Sequence, residues 1–186
     1  EYMSSVYIIT MHCPLNYGAI LQTFALQTYL ESIDSQVYVI NYRPDYIVGN
    51  QGLMYVGADQ YKRNIFTRWA YRILKAPSKI RRRRMFSKFM NREIHVTSEF
   101  KTFSDICKAD LKADYFICGS DQIWNTTFRN GTDPGYYLDF GAKEIRRESF
   151  AASFATEEIV PEALLFVREN LKRFDKITVR EQSALA

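Results

Sequence analysis

Residues 6–42, VYIITMHCPLNYGAILQTFALQTYLESIDSQVYVINY, decide the fold. VYIITM at 6–11 is a short apolar run closed by His12-Cys13-Pro14, the mark of a buried strand. From Gly18 to Ser32, Leu21, Ala25, Leu26, Tyr29 and Leu30 recur at helical spacing and Ile33 continues the series, so an amphipathic helix is predicted. VYVINY at 37–42 is a second strand, stopped by Arg43-Pro44. Strand, helix and strand within so short a stretch make a βαβ unit, with parallel strands and a right-handed crossover. The helix is entered through Asn16-Tyr17-Gly18.

Outward from this unit, residues 43–60 carry Gly49, Gly52 and Gly57 and predict an irregular loop. Residues 61–75 and 78–93 predict two helices divided at Pro77, together a helical insertion near 61–94. The second is basic, with Lys79, Arg81, Arg82, Arg83, Arg84, Lys88 and Arg92. A helix at 102–109 precedes the apolar strand YFICG at 115–119. Residues 126–147 are turn-rich and then charged, SFAASFA at 149–155 suits a strand, and Pro161 suits the first turn of a helix running to about Phe174. KITV at 176–179 is the last apolar run. Five strands separated by helices predict an α/β fold, a doubly wound, mostly parallel, Rossmann-like sheet with helices on both faces.

The composition, 47% hydrophobic and 25% charged over 186 residues, is that of an ordinary globular domain and excludes disorder. A net charge of +4 and a pI near 8.9 suit an anionic ligand and are too mild to indicate nucleic acid. Cys13, Cys107 and Cys118 share no CxxC spacing, which predicts reduced thiols in the cytoplasm. With two histidines in the chain, no metal site is expected. His12 and Cys13, adjacent after a strand, are expected to point apart, which makes His12 structural rather than a base.

Ligands of an open parallel sheet bind beyond the carboxyl ends of its strands. Three polar clusters fall there: His12 to Gly18, GSDQIWN at 119–125, and Arg180-Glu181. Asn16, Asp121 and Arg180 are therefore expected to converge. Gly18 lets backbone approach a ligand, and the helix start beyond it offers N–H groups to phosphate or carboxylate. Asn16 equally suits a plain helix cap, with Tyr17 packing beside it. The stretch is neither GxGxxG nor a P-loop. Asp121 suits a base or an acceptor of sugar hydroxyls, and Trp124 either a sugar platform or a core residue. Ser120, Gln122 and Asn125 complete this binding cluster. Arg180 is a planar fork for a phosphate or carboxylate, or a partner of Glu181 or Asp175. The basic helix 79–92 suits a solvated face or contact with an anionic membrane surface.

Taken together, LNYGAILQTFALQTYL, VYVINYRP, DYFICGSDQIWN, SFAASFA and KITVREQSA resemble, in order and spacing, the polysaccharide pyruvyl transferase family. The resemblance implies the first lobe of a glycosyltransferase-B-like enzyme. It implies transfer of a pyruvyl group from phosphoenolpyruvate to hydroxyls of a glycan or lipid-linked glycan precursor for cell-surface polysaccharide, in the cytoplasm or at the inner face of the membrane. No cofactor is implied, and phosphoenolpyruvate is the donor substrate. Arg180 would bind it, and Asn16, Gly18, Asp121 and Gln122 would line the cleft. Residues 1–186 would be the N-terminal Rossmann-like domain, and the family's C-terminal domain, expected to hold the general acid, lies outside this chain, which alone is expected to be inactive. Competing readings are a lobe of a sugar-nucleotide-dependent glycosyltransferase and a non-catalytic α/β ligand-binding module.

Overall fold

Along each central strand the apolar side chains alternate between two cores, as the period of two requires of a sheet covered on both faces. Val6 and Ile8, Val37 and Val39, and Ile117 enter one core with Ile20 and Leu26, Phe86 and Ile94. Ile9, Ile40, Tyr42, Phe116 and Cys118 enter the other with Trp124, Tyr136, Tyr137, Ala163 and Val167. The computed structural model describes residues 3–13, 15–49 and 65–185.

The strands are β1 (Ser4–Ile9), β2 (Ser35–Tyr42), β3 (Val96–Phe100), β4 (Tyr115–Gly119) and β5 (Arg146–Phe150). All pairings are parallel, in the order β3-β2-β1-β4-β5. This is the α/β doubly wound arrangement, and the strand order reverses between β1 and β4, where ligands of such sheets bind. Helices α1 (Tyr17–Glu31), α2 (Asp45–Val48), α3 (Ile65–Glu93), α4 (Phe103–Lys108) and α5 (Pro161–Leu171) complete the fold.

Several sequence expectations are corrected. The buried face of α1 is Ala19, Ile20, Thr23, Leu26 and Gln27, whereas Leu21, Tyr29 and Ile33 are exposed. Thr23 and Gln27 tolerate burial because their polar atoms are satisfied. Thr23 donates to the Ala19 carbonyl at 2.8 Å, and Gln27 bridges the Glu93 carbonyl (3.0 Å) and the His95 amide (2.9 Å). Helix α3 is continuous through Pro77, with Ser78 Oγ donating to the Lys75 carbonyl at 3.0 Å in the interrupted turn. Of the loop expected over 43–60, residues 45–48 form α2, while residues 50–64 lie outside the described residues.

Strand β3, not anticipated, is a polar edge strand. Its place among the five was expected for KITV. That segment instead lies parallel along β5 through isolated bridges, Glu148 to Lys176 and Ala152 to Val179. Reciprocal side-chain bonds between Ser149 and Thr178 hold it there (2.9 and 2.6 Å). The strand expected over 149–155 is displaced toward the N-terminus and ends at Phe150, because Ala151 and Ala155 adopt positive φ (47° and 57°) and break the extended run.

Candidate functional site

Strands β1, β4 and β5 end side by side, and a line of hydrogen bonds joins their carboxyl ends. Gln22, on α1, donates from Nε2 to Thr10 Oγ1 at 2.9 Å. Its Oε1 accepts from the Ser120 amide at 3.1 Å and from Ser120 Oγ at 2.6 Å. One side chain thus ties the end of β1 to the turn after β4. Next along the edge, the Ser153 amide donates to the Asp121 carbonyl at 3.1 Å, and the Trp124 amide donates to the Ser153 carbonyl at 3.2 Å. Arg180 then completes the line: its amide donates to the Ala152 carbonyl (3.1 Å), and its guanidinium donates to Ser153 Oγ (3.0 Å).

The turn after β4 requires glycine. Gly119 has φ +110°, and a Cβ there would stand 2.2 Å from the Phe150 carbonyl oxygen. Beyond it the segment divides. Ser120 and Asp121 are half-buried and Gln122 is exposed, whereas Ile123, Trp124 and Asn125 turn inward. Asp121 Oδ1 accepts from the Gln122 amide at 2.7 Å.

Trp124 is a core residue, not a sugar platform. It is fully buried, donates from Nε1 to the Tyr136 carbonyl (3.1 Å) and stacks on Tyr137 with ring centroids 5.6 Å apart. Asn125 is likewise buried and builds the loop, accepting through Oδ1 from the Thr127 amide (3.0 Å) and hydroxyl (2.6 Å). At the start of α1 the structure has the capping arrangement: Asn16 Oδ1 accepts from the Gly18 amide at 2.8 Å. Tyr17 packs on Phe86 at 4.7 Å between ring centroids. Asn16, Tyr17 and Gly18 are exposed just before Gln22, so the mouth of α1 opens onto the same edge.

Arg180 keeps roughly half its side chain in solvent (49%), and its ion pair with Glu181 is long, Nε to Oε2 3.7 Å. Glu181 has a second task. Its Oε1 accepts from Ser153 Oγ (2.7 Å) and from the amides of Phe154 (2.9 Å) and Ala155 (3.1 Å). Partial desolvation pushes its carboxyl up, but these bonds and the Arg180 charge outweigh that and hold it below the usual range. Glu181 is therefore an anionic clasp on the turn that carries Arg180.

His12 is structural. It is buried, with Nδ1 donating to the Thr10 carbonyl at 3.1 Å and Nε2 3.1 Å from Asn41 Oδ1. Burial pushes its imidazole down. Cys13 does not point away from it: Sγ lies 3.7 Å from Nε2 while donating to the Tyr42 carbonyl at 3.0 Å. Burial raises that thiol to about 12, so it is no nucleophile. Among the described residues, no group of three His, Cys, Asp or Glu is gathered around a metal position, and no helix is long and apolar enough to cross a membrane.

Sequence reasoning quoted Gln22 within the α1 motif without giving it a role. Its spacing from Gly18, one turn on and on the same face, was the available signal. Ser153, where Asp121 and Arg180 meet, is reached only through the parallel placement of 176–179 beside β5. A family model described as Polysaccharide pyruvyl transferase matches residues 16–186. No curated protein and no solved structure matches the chain.

Proposed function

The chain belongs to the polysaccharide pyruvyl transferase family, and from that premise we propose that its carboxyl edge binds phosphoenolpyruvate and presents a glycan hydroxyl to it. The observation that carries this reading is the line of bonds through Ser153, whose amide donates to the Asp121 main-chain carbonyl (3.1 Å) and whose hydroxyl accepts from the Arg180 guanidinium (3.0 Å). A half-exposed guanidinium thus stands beside the turn that carries Asp121, at the carboxyl ends of β4 and β5.

The chemistry asks for such a pair. The hydroxyl oxygen adds to C2 of the enolpyruvyl group, C3 takes a proton, and a second hydroxyl displaces phosphate to close a ketal. Arg180 offers a fork to the donor's phosphate or carboxylate. Asp121, with Oδ1 held by the Gln122 amide, turns Oδ2 to the attacking hydroxyl and takes its proton. Ser120 and Gln122 line the acceptor side, and the start of α1, whose Gly18 amide is taken by the Asn16 cap, adds the positive end of its dipole. The general acid comes from a second lobe closing over this edge. The acceptor is a glycan or lipid-linked glycan precursor, reached from the cytoplasmic side. Arg81 and Lys88, exposed and seven residues apart on α3, favour contact with anionic lipid.

Arg180→Lys tests the reading. In the enzyme carrying both lobes, phosphate release from phosphoenolpyruvate should fall by the equivalent of about 2–5 kcal/mol, because an ammonium cannot reproduce the bidentate fork. Melting should hardly change, since an exposed ion pair contributes about 0–1 kcal/mol. Normal turnover with normal melting removes Arg180 from the donor site, and a large fall in melting temperature makes it structural.

A further inference from the structure

A cavity of about 390 Å³ lies on the other side of β1, between the ends of β1 and β2, the start of β3 and helix α3. Its cationic walls are Arg43, just beyond β2, and Arg83 and Arg84 on α3. Arg83, Ser87 and Asn91 follow at four-residue spacing and all line it, so one face of the helix is turned toward the strand ends. Beside that face, Phe86 and Met90 pack on the core and also line the cavity, and Phe89 packs on the core with them. The run of four arginines is thus split by the helix period. Arg82 hydrogen-bonds the Leu15 carbonyl, and Arg81 looks to solvent.

The charge in this cavity is poorly compensated. Arg43 faces Glu99 at 3.8 Å, both half-exposed. Among the described residues, no acidic side chain pairs with Arg83 or Arg84. Three guanidiniums against one carboxylate, around a recess partly floored by Ile20, Phe86 and Met90, make a site that concentrates anions. A single phosphate would leave most of the recess to water, whereas a diphosphate brings two anionic groups to a recess with cationic residues from both the end of β2 and α3. The donor's phosphate cannot serve both places. From β2 to β5 is three strand spacings, roughly 14 Å, and Arg180 lies beyond β5.

We propose that this cavity is a second anion site that takes a diphosphate group, separate from the Arg180 site. Its role as the place where the acceptor's diphosphate is held rests on the pyruvyl-transfer reading. The binding itself does not.

Calorimetric titration of the chain with inorganic pyrophosphate tests it. Saturable binding is expected, weakened tenfold or more by Arg83→Gln with Arg84→Gln, and weakened by Arg43→Gln alone. Arg81→Gln with Lys88→Gln, which leaves the cavity intact, should change it less than twofold. Equal weakening by the two double variants would show diffuse surface charge and overturn the site. Arg180→Gln should bind pyrophosphate like wild type, and phosphoenolpyruvate should not compete. Loss in Arg180→Gln, or full competition, would mean one shared site and overturn the proposal while leaving the donor assignment standing. Two arms identify the source of the diphosphate: displacement by a soluble uridine diphosphate sugar, or displacement only by vesicles containing a polyprenyl diphosphate. If neither displaces pyrophosphate, the acceptor role falls. The melting curve of the Arg83→Gln with Arg84→Gln variant should overlay that of wild type, since both residues are exposed.

Discussion

Ser153 hydroxyl is shared by three groups: it donates to Glu181, and it accepts from Arg180 and from the Ala155 amide. The clasp depends on Glu181 being ionised, which gives a pH prediction. A carboxyl held below its unfolded value of 4.5 adds stability above that pH and loses it as pH falls through the folded value. The melting temperature of wild type should therefore drop more steeply below about pH 4.5 than that of Glu181→Gln, and parallel curves would remove the clasp. Gln22→Ala should cost about 1–3 kcal/mol in denaturant unfolding, because Thr10 and Ser120 lose their common partner. Gln22 was quoted in the sequence without a role because an amide on a helix gives no sign of what lies across from it. Trp124 was ambiguous for a related reason: its indole suits a ligand and a core alike, and only the packing against Tyr137 and Phe154 decides.

Elements were legible where side chains were apolar and misread where burial was polar. The βαβ unit declared itself through two apolar strands, yet the face of α1 could not be read, because Thr23 and Gln27 occupy buried positions that a hydrophobic pattern assigns to solvent. β3 was missed for the converse reason. Thr97, Ser98 and Glu99 give it no apolar run, and at the sheet edge only Phe100 is buried. β5 begins at Arg146-Arg147, the charged end of a stretch that gives no apolar strand pattern. Arg147 is in fact buried, and donates to the carbonyls of Leu138 (3.0 Å), Ile145 (2.7 Å), Phe140 (2.8 Å) and Ala142 (3.0 Å). Arg147→Met should destabilise by about 3 kcal/mol or more, as the loss of one partner from a buried charged network does, measured by denaturant unfolding. Pro77 does not divide the helix, because the turns on both sides are helical. An interior proline costs a helix about 3 kcal/mol, so Pro77→Ala should raise the melting temperature, and no rise would mean that packing near Pro77 offsets the cost.

For the molecule as a whole, the topology makes the cysteines a check on the fold. Cys13 and Cys118 lie buried at the carboxyl ends of β1 and β4, and Cys107 is exposed on α4. Burial raises all three thiols, to about 12 for Cys13. Alkylation of the native protein near pH 8, followed by mass spectrometry, should label Cys107 first and reach the other two only on unfolding. Early labelling of Cys118 would contradict the buried β4.

β1 lies between β2 and β4, and its two neighbours come from very different places in the chain. Ser4 pairs with Ser35, but Val6 also pairs with Tyr115. During synthesis the partner across the α1 crossover arrives first, and the other follows about 80 residues later, roughly 4–16 s at ordinary elongation rates. Through that interval the nascent β1–β2 pair carries an open apolar edge, VYII, with nothing to close it. The central position of β1 thus sets a period in which the newborn chain exposes an unpaired apolar edge, and a slow codon between residues 42 and 115 would lengthen it.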